Sequence, residues 1–215
     1  MKTLREIVNF NNNIEKDYYE SLINYENTFI EILKVCNNKF DVGTGSYLFD
    51  GKKYEYCDKM YQKQVLLFEK VKNIDSVLEI GTYMGHSLLI MLMSNPKLKI
   101  TCIDIDDTYS QPVINFLGKK FNTNINFIKG DSIKTIPNLN EKFDLFHIDG
   151  THNLEFVNKE FQMCKHLSSS DIMNVIFDDY DNVTEMKNII NKEHVILEQI
   201  TPNCNWRNSY LKIKL

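Results

Sequence analysis

The sequence predicts an α/β protein: a doubly wound, seven-stranded, mostly parallel sheet with a C-terminal antiparallel hairpin and an N-terminal helical extension. Three observations carry this. From residue 76 onward, short continuous apolar runs alternate with helix-like segments, the pattern of parallel strands covered on both faces. The stretch 76–87, SVLEIGTYMGHS, reads as a buried strand that breaks at Gly81, turns, and enters a helix just after Gly85. The last two apolar runs have no helix between them, only a turn with Thr201-Pro202-Asn203, so they pair as a hairpin.

Residues 1–40 read as helical, because Tyr18, Leu22, Tyr25, Phe29, Ile32 and Leu33 recur at spacings of three and four. This one-sided stripe fits a helix packed on the main sheet or on a second subunit, or a lid over a substrate site. Residues 41–53, DVGTGSYLFDGKK, hold three glycines and form a loop. No GKS or GKT follows, so this is a connector or part of a substrate rim rather than a Walker-type phosphate cradle. A helix over 55–72 leads to the first strand. Strands are expected near 77–81, 99–104, 125–129, 143–149, 172–178, 195–200 and 207–214. Helices are expected near 86–94, 110–121, 153–166 and 182–192, with a short helical turn near 132–136. The chain divides into an N-terminal extension or lid, 1–60, and one sheet domain, 61–215.

Composition bounds the function. The 215 residues are 43% hydrophobic, ample for one core, and the net charge of −4 comes without a Lys/Arg block, so there is no footprint for nucleic acid. No apolar run reaches roughly 18 residues, which excludes a membrane span. The first twenty residues have no apolar signal-peptide core, so a cytosolic protein is expected. Cys36, Cys57, Cys102, Cys164 and Cys204 are odd in number and lack metal spacing, which fits free thiols in a reducing compartment.

The chemistry-bearing residues cluster at strand ends. Asp104 closes the second strand roughly 20 residues after the glycine turn, where an acid can bind ribose hydroxyls. Asp106 reads as a turn or cap residue. Asp131 and Ser132 follow the third strand, placed to accept from an adenine amino group or simply to cap the next helix. Asp149 ends the fourth strand, and Asp178 and Asp179 end the fifth. Three carboxylates at neighbouring strand ends repel unless a cation joins them or their pKa values rise, which points to a hard oxygen site for Mg²⁺. His152, three residues past Asp149, is a candidate general base. His147 alternates with strand apolar residues and should be buried, whereas His86 follows the glycine turn and should border the ligand. His166 and His194 read as surface residues, and Trp206 as a core residue.

These segments, Val77–Ser87, Thr101–Asp104, Gly130–Ser132 and Phe143–Gly150, together resemble the class I S-adenosylmethionine-dependent methyltransferases, over about residues 60–214. Within that class the chain is similar to the small catechol-type and metal-dependent sugar O-methyltransferases. The resemblance implies a Rossmann-like methyltransferase fold with S-adenosyl-L-methionine held by Glu79, Gly81, Thr82, Tyr83, Gly85, Ser87, Asp104, Ile105, Asp131, Ser132 and Asp149. It implies Mg²⁺ on Asp149, Asp178 and Asp179, and catalysis by His152 with Asp149. The Asp178-Asp179-Tyr180 run looks more like the sugar branch. Thr151 departs from the acid that branch carries as base, and His152 stands where the catechol type has a lysine. The implied partner is a small acceptor, a sugar or another polyol or phenol, with no nucleic acid and no membrane; the N-terminal stripe fits a homodimer. The rivals are a nicotinamide-dependent Rossmann enzyme, although Gly81-Thr-Tyr-Met-Gly85 lacks the GxGxxG spacing, a methyltransferase-like fold kept as a non-catalytic binding protein, and a methyltransferase that uses no metal, with the acids serving as caps or bases.

Overall fold

The computed structural model describes residues 10–151, 153–178 and 183–215. Helices α1 (Asn13–Asn24) and α2 (Glu26–Val35) form the N-terminal extension, and α3 (Tyr61–Val71) follows a long loop. The alternating part comprises β1 (Ser76–Ile80), α4 (His86–Ser94), β2 (Lys99–Asp104), α5 (Ser110–Phe121), β3 (Ile125–Lys129) and α6 (Ser132–Thr135). It continues through β4 (Leu145–Ile148), α7 (Leu154–Lys165), β5 (Ile172–Phe177), α8 (Val183–Glu193), β6 (Val195–Ile200) and β7 (Ser209–Lys214). Each strand lies within two residues of its expected bounds. The helix expected over 55–72 is shorter, because residues 58–60 form a 3₁₀ turn and α3 begins at Tyr61.

The seven strands run in the order β3-β2-β1-β4-β5-β7-β6. The first five pair in parallel, and β7 inserts antiparallel between β5 and β6, which gives the expected hairpin. The reversal of strand order at β1 and β4 is the switch point at which open α/β sheets bind ligands, outside the carboxyl ends of the strands. Register decides what stands there. Ile80 pairs with both Ile103 and Ile148, and Ile148 pairs with Phe177. The residues that follow, Asp104, Gly81, Asp149 and Asp178, therefore leave the sheet at one level. Backbone bonds extend the ladder by one step, Gly81 N–H to the Ile103 carbonyl (2.9 Å), Asp149 N–H to Ile80 (2.8 Å) and Asp178 N–H to Ile148 (3.0 Å).

Two apolar cores flank the sheet. On one face α4 is buried from His86 to Met93, because α1 and α3 cover it from outside, while α2 packs on α5. The stripe read from the sequence does this work: Tyr18, Leu22, Phe29 and Ile32 are all within 2% of complete burial. On the other face α7 and α8 close a second core around Phe146, Phe161, Phe177 and Met186. Edge strand β6 alternates exposed and half-buried residues. Among the described residues, no helix is long and apolar enough to cross a membrane.

Candidate active site

A cavity of about 1080 Å³ opens over this level edge of the sheet. Its floor is Gly81, Asp104, Asp149 and Asp178; the loop over residues 41–50 forms one wall, and Trp206 and Phe156 line it as well. The glycine-bearing loop thus forms part of the rim of this cavity. It is tied down at both ends: Asp41 N–H donates to the Tyr83 hydroxyl (2.8 Å), Tyr109 donates to the Asp41 carboxylate (2.9 Å), and Tyr47, Leu48 and Phe49 are fully buried.

At one end of the cavity stand the groups suited to a nucleoside. Asp104 lines it, and its Oδ2 accepts from the backbone N–H groups of Thr82 and Tyr83, both at 2.8 Å. The carboxylate therefore shapes the glycine turn as well as facing the ligand space. Gly81, at φ +84°, is required because a Cβ there would run into the Asp149 carbonyl, so its bare backbone serves the neighbouring strand. Gly85 caps α4 in the left-handed region, with φ +63°, against Val113 of α5. Ile105 sits on the rim, 74% exposed. Asp131 caps α6 by accepting from Ile133 N–H (3.0 Å), yet it also lines the cavity beside Ser132. Asp106 turns the chain, accepting from Thr108 N–H (2.8 Å). Glu79 and Ser87 lie behind the turn, outside the cavity lining and fully buried, with the Ser87 hydroxyl donating to Glu79 Oε1 at 2.5 Å.

At the other end stand Asp149 and Asp178. Burial and the neighbouring Asp178 charge push the Asp149 carboxyl well above the usual carboxylate range, with Lys63 opposing them. Lys63 Nζ, on α3, lies 2.9 and 3.0 Å from the two carboxylate oxygens of Asp178, in a pair that is 3% and 9% exposed. The ammonium also sits 4.3 Å from the centre of the Tyr47 ring. The Tyr47 hydroxyl meets His147 Nε2 at 2.8 Å and accepts from Asn208 Nδ2 at 3.0 Å, while His147 Nδ1 faces Glu79 Oε1 at 3.1 Å. The carboxylate needs a donor, which assigns the proton to Nδ1 and leaves Nε2 to accept from Tyr47. A buried polar chain thus links the rim loop, strands β1 and β4, and the turn before β7.

Of the expected Mg²⁺ set, Asp149 and Asp178 come together at adjacent strand ends. Asp179 and His152 lie outside the described residues, and both oxygens of Asp178 already hold an ammonium. Among the described residues, no three acid, histidine or cysteine side chains gather as a metal site.

Other placements differ from expectation for identifiable reasons. His86 does not border the ligand; it is fully buried among Phe29, Phe49 and Tyr54, with Nε2 2.9 Å from the Tyr54 hydroxyl, because the first turn of α4 faces the N-terminal extension. Trp206 is not core; it is 47% exposed, adopts φ +46° in the β6–β7 turn, and lines the cavity. His194 is only 14% exposed, beside Lys165. His147 and Cys102 are buried as expected, and His166 is exposed.

Sequence reasoning missed Lys63, Tyr47 and Glu160. Lys63 carries a signal: it shares a helical face with Met60, Leu67 and Val71, where a lysine must find a buried anion. Glu160 on α7 lines the cavity, 1% exposed, with Oε1 accepting from Ser132 at 2.5 Å and Oε2 without a partner. Burial raises its pKa.

Residues 78–180 match a family model described as a methyltransferase domain. No curated protein matches the chain. Among solved structures, cofactor-bound Rv0187 from MTB aligns with TM-score 0.63 at 15% identity, over 87% of this chain and 89% of that one. A proposed O-methyltransferase from Klebsiella pneumoniae aligns with TM-score 0.63 at 12% identity, over 100% and 94%. An O-methyltransferase from Bacillus cereus in complex with SAH aligns with TM-score 0.59 at 17% identity, over 88% and 91%. At such identities these alignments carry the fold.

Proposed function

We propose that this chain, a class I methyltransferase by its fold and by the domain at residues 78–180, transfers a methyl group from S-adenosyl-L-methionine to a hydroxyl of a small molecule. The observation that carries the reading is the shared level of Gly81, Asp104, Asp149 and Asp178, which puts a nucleoside-binding end and an acidic end on one cavity. Asp104 binds the ribose, the turn at Gly81–Gly85 takes the methionine end, and Asp131, Ser132 and Glu160 surround the adenine. The acceptor lies between Trp206 and the Asp149–Asp178–Lys63 group. Its oxygen attacks the methyl carbon in line, the sulfonium leaves as a neutral thioether, and the hydroxyl proton passes to a base. His152 is the base the sequence nominates.

A sugar or similar polyol is the acceptor this lining favours. Thr44, Ser46 and Asp50 offer hydrogen-bond partners, and the Trp206 ring offers a flat apolar face. The O-methyltransferase neighbour from Bacillus cereus supports transfer to oxygen. Free thiols at all five cysteines support a reducing, cytosolic setting. Mg²⁺ chelation by Asp149, Asp178 and Asp179 would have to share the Asp178 carboxylate with the Lys63 ammonium. The test is turnover of S-adenosyl-L-methionine against a panel of sugars, polyols and phenols. Methylated sugar or polyol product supports the reading; cofactor binding without turnover of any acceptor would leave a binding protein on a methyltransferase fold.

A further inference from the structure

We propose that Lys63 is the resident cation of the acceptor site and takes the place that a divalent metal holds in the enzymes this chain resembles. The inference rests on the methyltransferase reading for its chemistry. Its geometry stands independently.

Two carboxylates at adjacent strand ends repel unless a positive charge stands beside them or one of them keeps its proton. The chain supplies one. Lys63 Nζ lies 2.9 and 3.0 Å from Asp178 Oδ1 and Oδ2, so the ammonium faces both oxygens that would ligate a metal. A divalent ion bound there would sit a few ångströms from a second cation in a site largely shielded from water, where like charges repel strongly. Lys63 is not a surface side chain that can swing aside. Its residue is 3% exposed, it projects from the interior face of α3, and its ammonium rests over the Tyr47 ring at 4.3 Å. Tyr47 is in turn held by His147 and Asn208. The lysine is therefore built in from three sides.

Lys63 acts as a positioning residue. It neutralises Asp178, fixes the direction of its carboxylate, and leaves Asp149 as the acid facing the acceptor. Chelation is then not part of recognition, so vicinal oxygens on the acceptor are not required for transfer.

The test is Mn²⁺ binding to the full chain, followed by electron paramagnetic resonance, with S-adenosylhomocysteine binding measured in parallel. Wild type is expected to take up no Mn²⁺ at concentrations up to about 1 mM, the weak end of oxygen-ligand sites. Lys63→Met is expected to gain a Mn²⁺ site that Asp178→Asn removes again, whereas Lys63→Arg gains none. S-adenosylhomocysteine affinity should stay within about threefold across the set, because Lys63 stands at the acceptor end. Stoichiometric Mn²⁺ on wild type, lost in Asp178→Asn, would overturn the proposal, as would a folded Lys63→Met chain that gains no site. Should Lys63→Met not fold, the wild-type and Asp178→Asn titrations decide alone. Failure of S-adenosylhomocysteine to bind wild type would sink the methyltransferase reading and leave the Mn²⁺ result to stand for Lys63 by itself.

Discussion

The main chain of Asp149 fills the space that a side chain at Gly81 would need. The two residues follow neighbouring strands β1 and β4, and their contact joins the nucleoside end of the cavity to its acidic end. Gly81 also holds φ +84°, a conformation that L side chains rarely adopt. Gly81→Ala therefore suffers twice and is expected to lose roughly 2–4 kcal/mol of stability. Chemical denaturation checks the loss, and S-adenosylhomocysteine binding should fall with it. A variant as stable as wild type would mean that β4 can move away.

Tyr47 separates structure from binding. Its hydroxyl serves His147 and Asn208, but Tyr47 is fully buried and does not line the cavity. Tyr47→Phe leaves both partners short of a bond, at a cost of about 1–3 kcal/mol. Thermal unfolding should show this loss while S-adenosylhomocysteine affinity holds.

His86 makes the fold acid-sensitive. Burial lowers its pKa from 6.5 to about 3. The folded state therefore holds the imidazole neutral while the unfolded chain protonates it. This contribution is fully present above pH 6.5 and is lost as pH falls from there toward 3. At about pH 5 the loss is on the order of 2 kcal/mol. His86→Phe keeps an aromatic ring among Phe29, Phe49 and Tyr54 and removes the titration. Denaturation midpoints over pH 5–7 should slope for wild type and flatten for the variant; equal slopes would clear His86 of the effect.

Glu160 predicts opposite signs for stability and binding. Its Oε2 is buried without a partner, a cost to the unliganded fold, and an adenine amino group is the donor that would relieve it. Glu160→Leu should bind S-adenosylhomocysteine on the order of tenfold more weakly while its melting temperature holds or rises. Unchanged affinity would remove Glu160 from the cofactor site.

The fold was legible because strand periodicity and strand ends are local properties. Apolar runs such as 77–80 and 100–103 announce fully buried strands, and the acids after them fall at the carboxyl edge by register alone. The rim loop was legible as a loop through its glycines, but the burial of Tyr47 was not, since its partners lie 100 and 161 residues away. Lys63 went unread for the same reason: the carboxylates are visible in sequence, while the ammonium that faces Asp178 is 115 residues distant. His86 and Trp206 were misjudged by neighbourhood. One adjoins the glycine turn yet rotates inward on α4; the other is aromatic yet sits in a left-handed turn at the rim.

The central claim is that the edge formed by Gly81 and Asp104 holds S-adenosyl-L-methionine. Calorimetric titration with S-adenosylhomocysteine in EDTA, on wild type and Asp104→Ala, tests it most directly. The account predicts micromolar binding to wild type and a loss of at least about tenfold in the variant, which removes both the ribose partner and the carboxylate that shapes the turn. No binding to wild type, or equal binding to both, would contradict it.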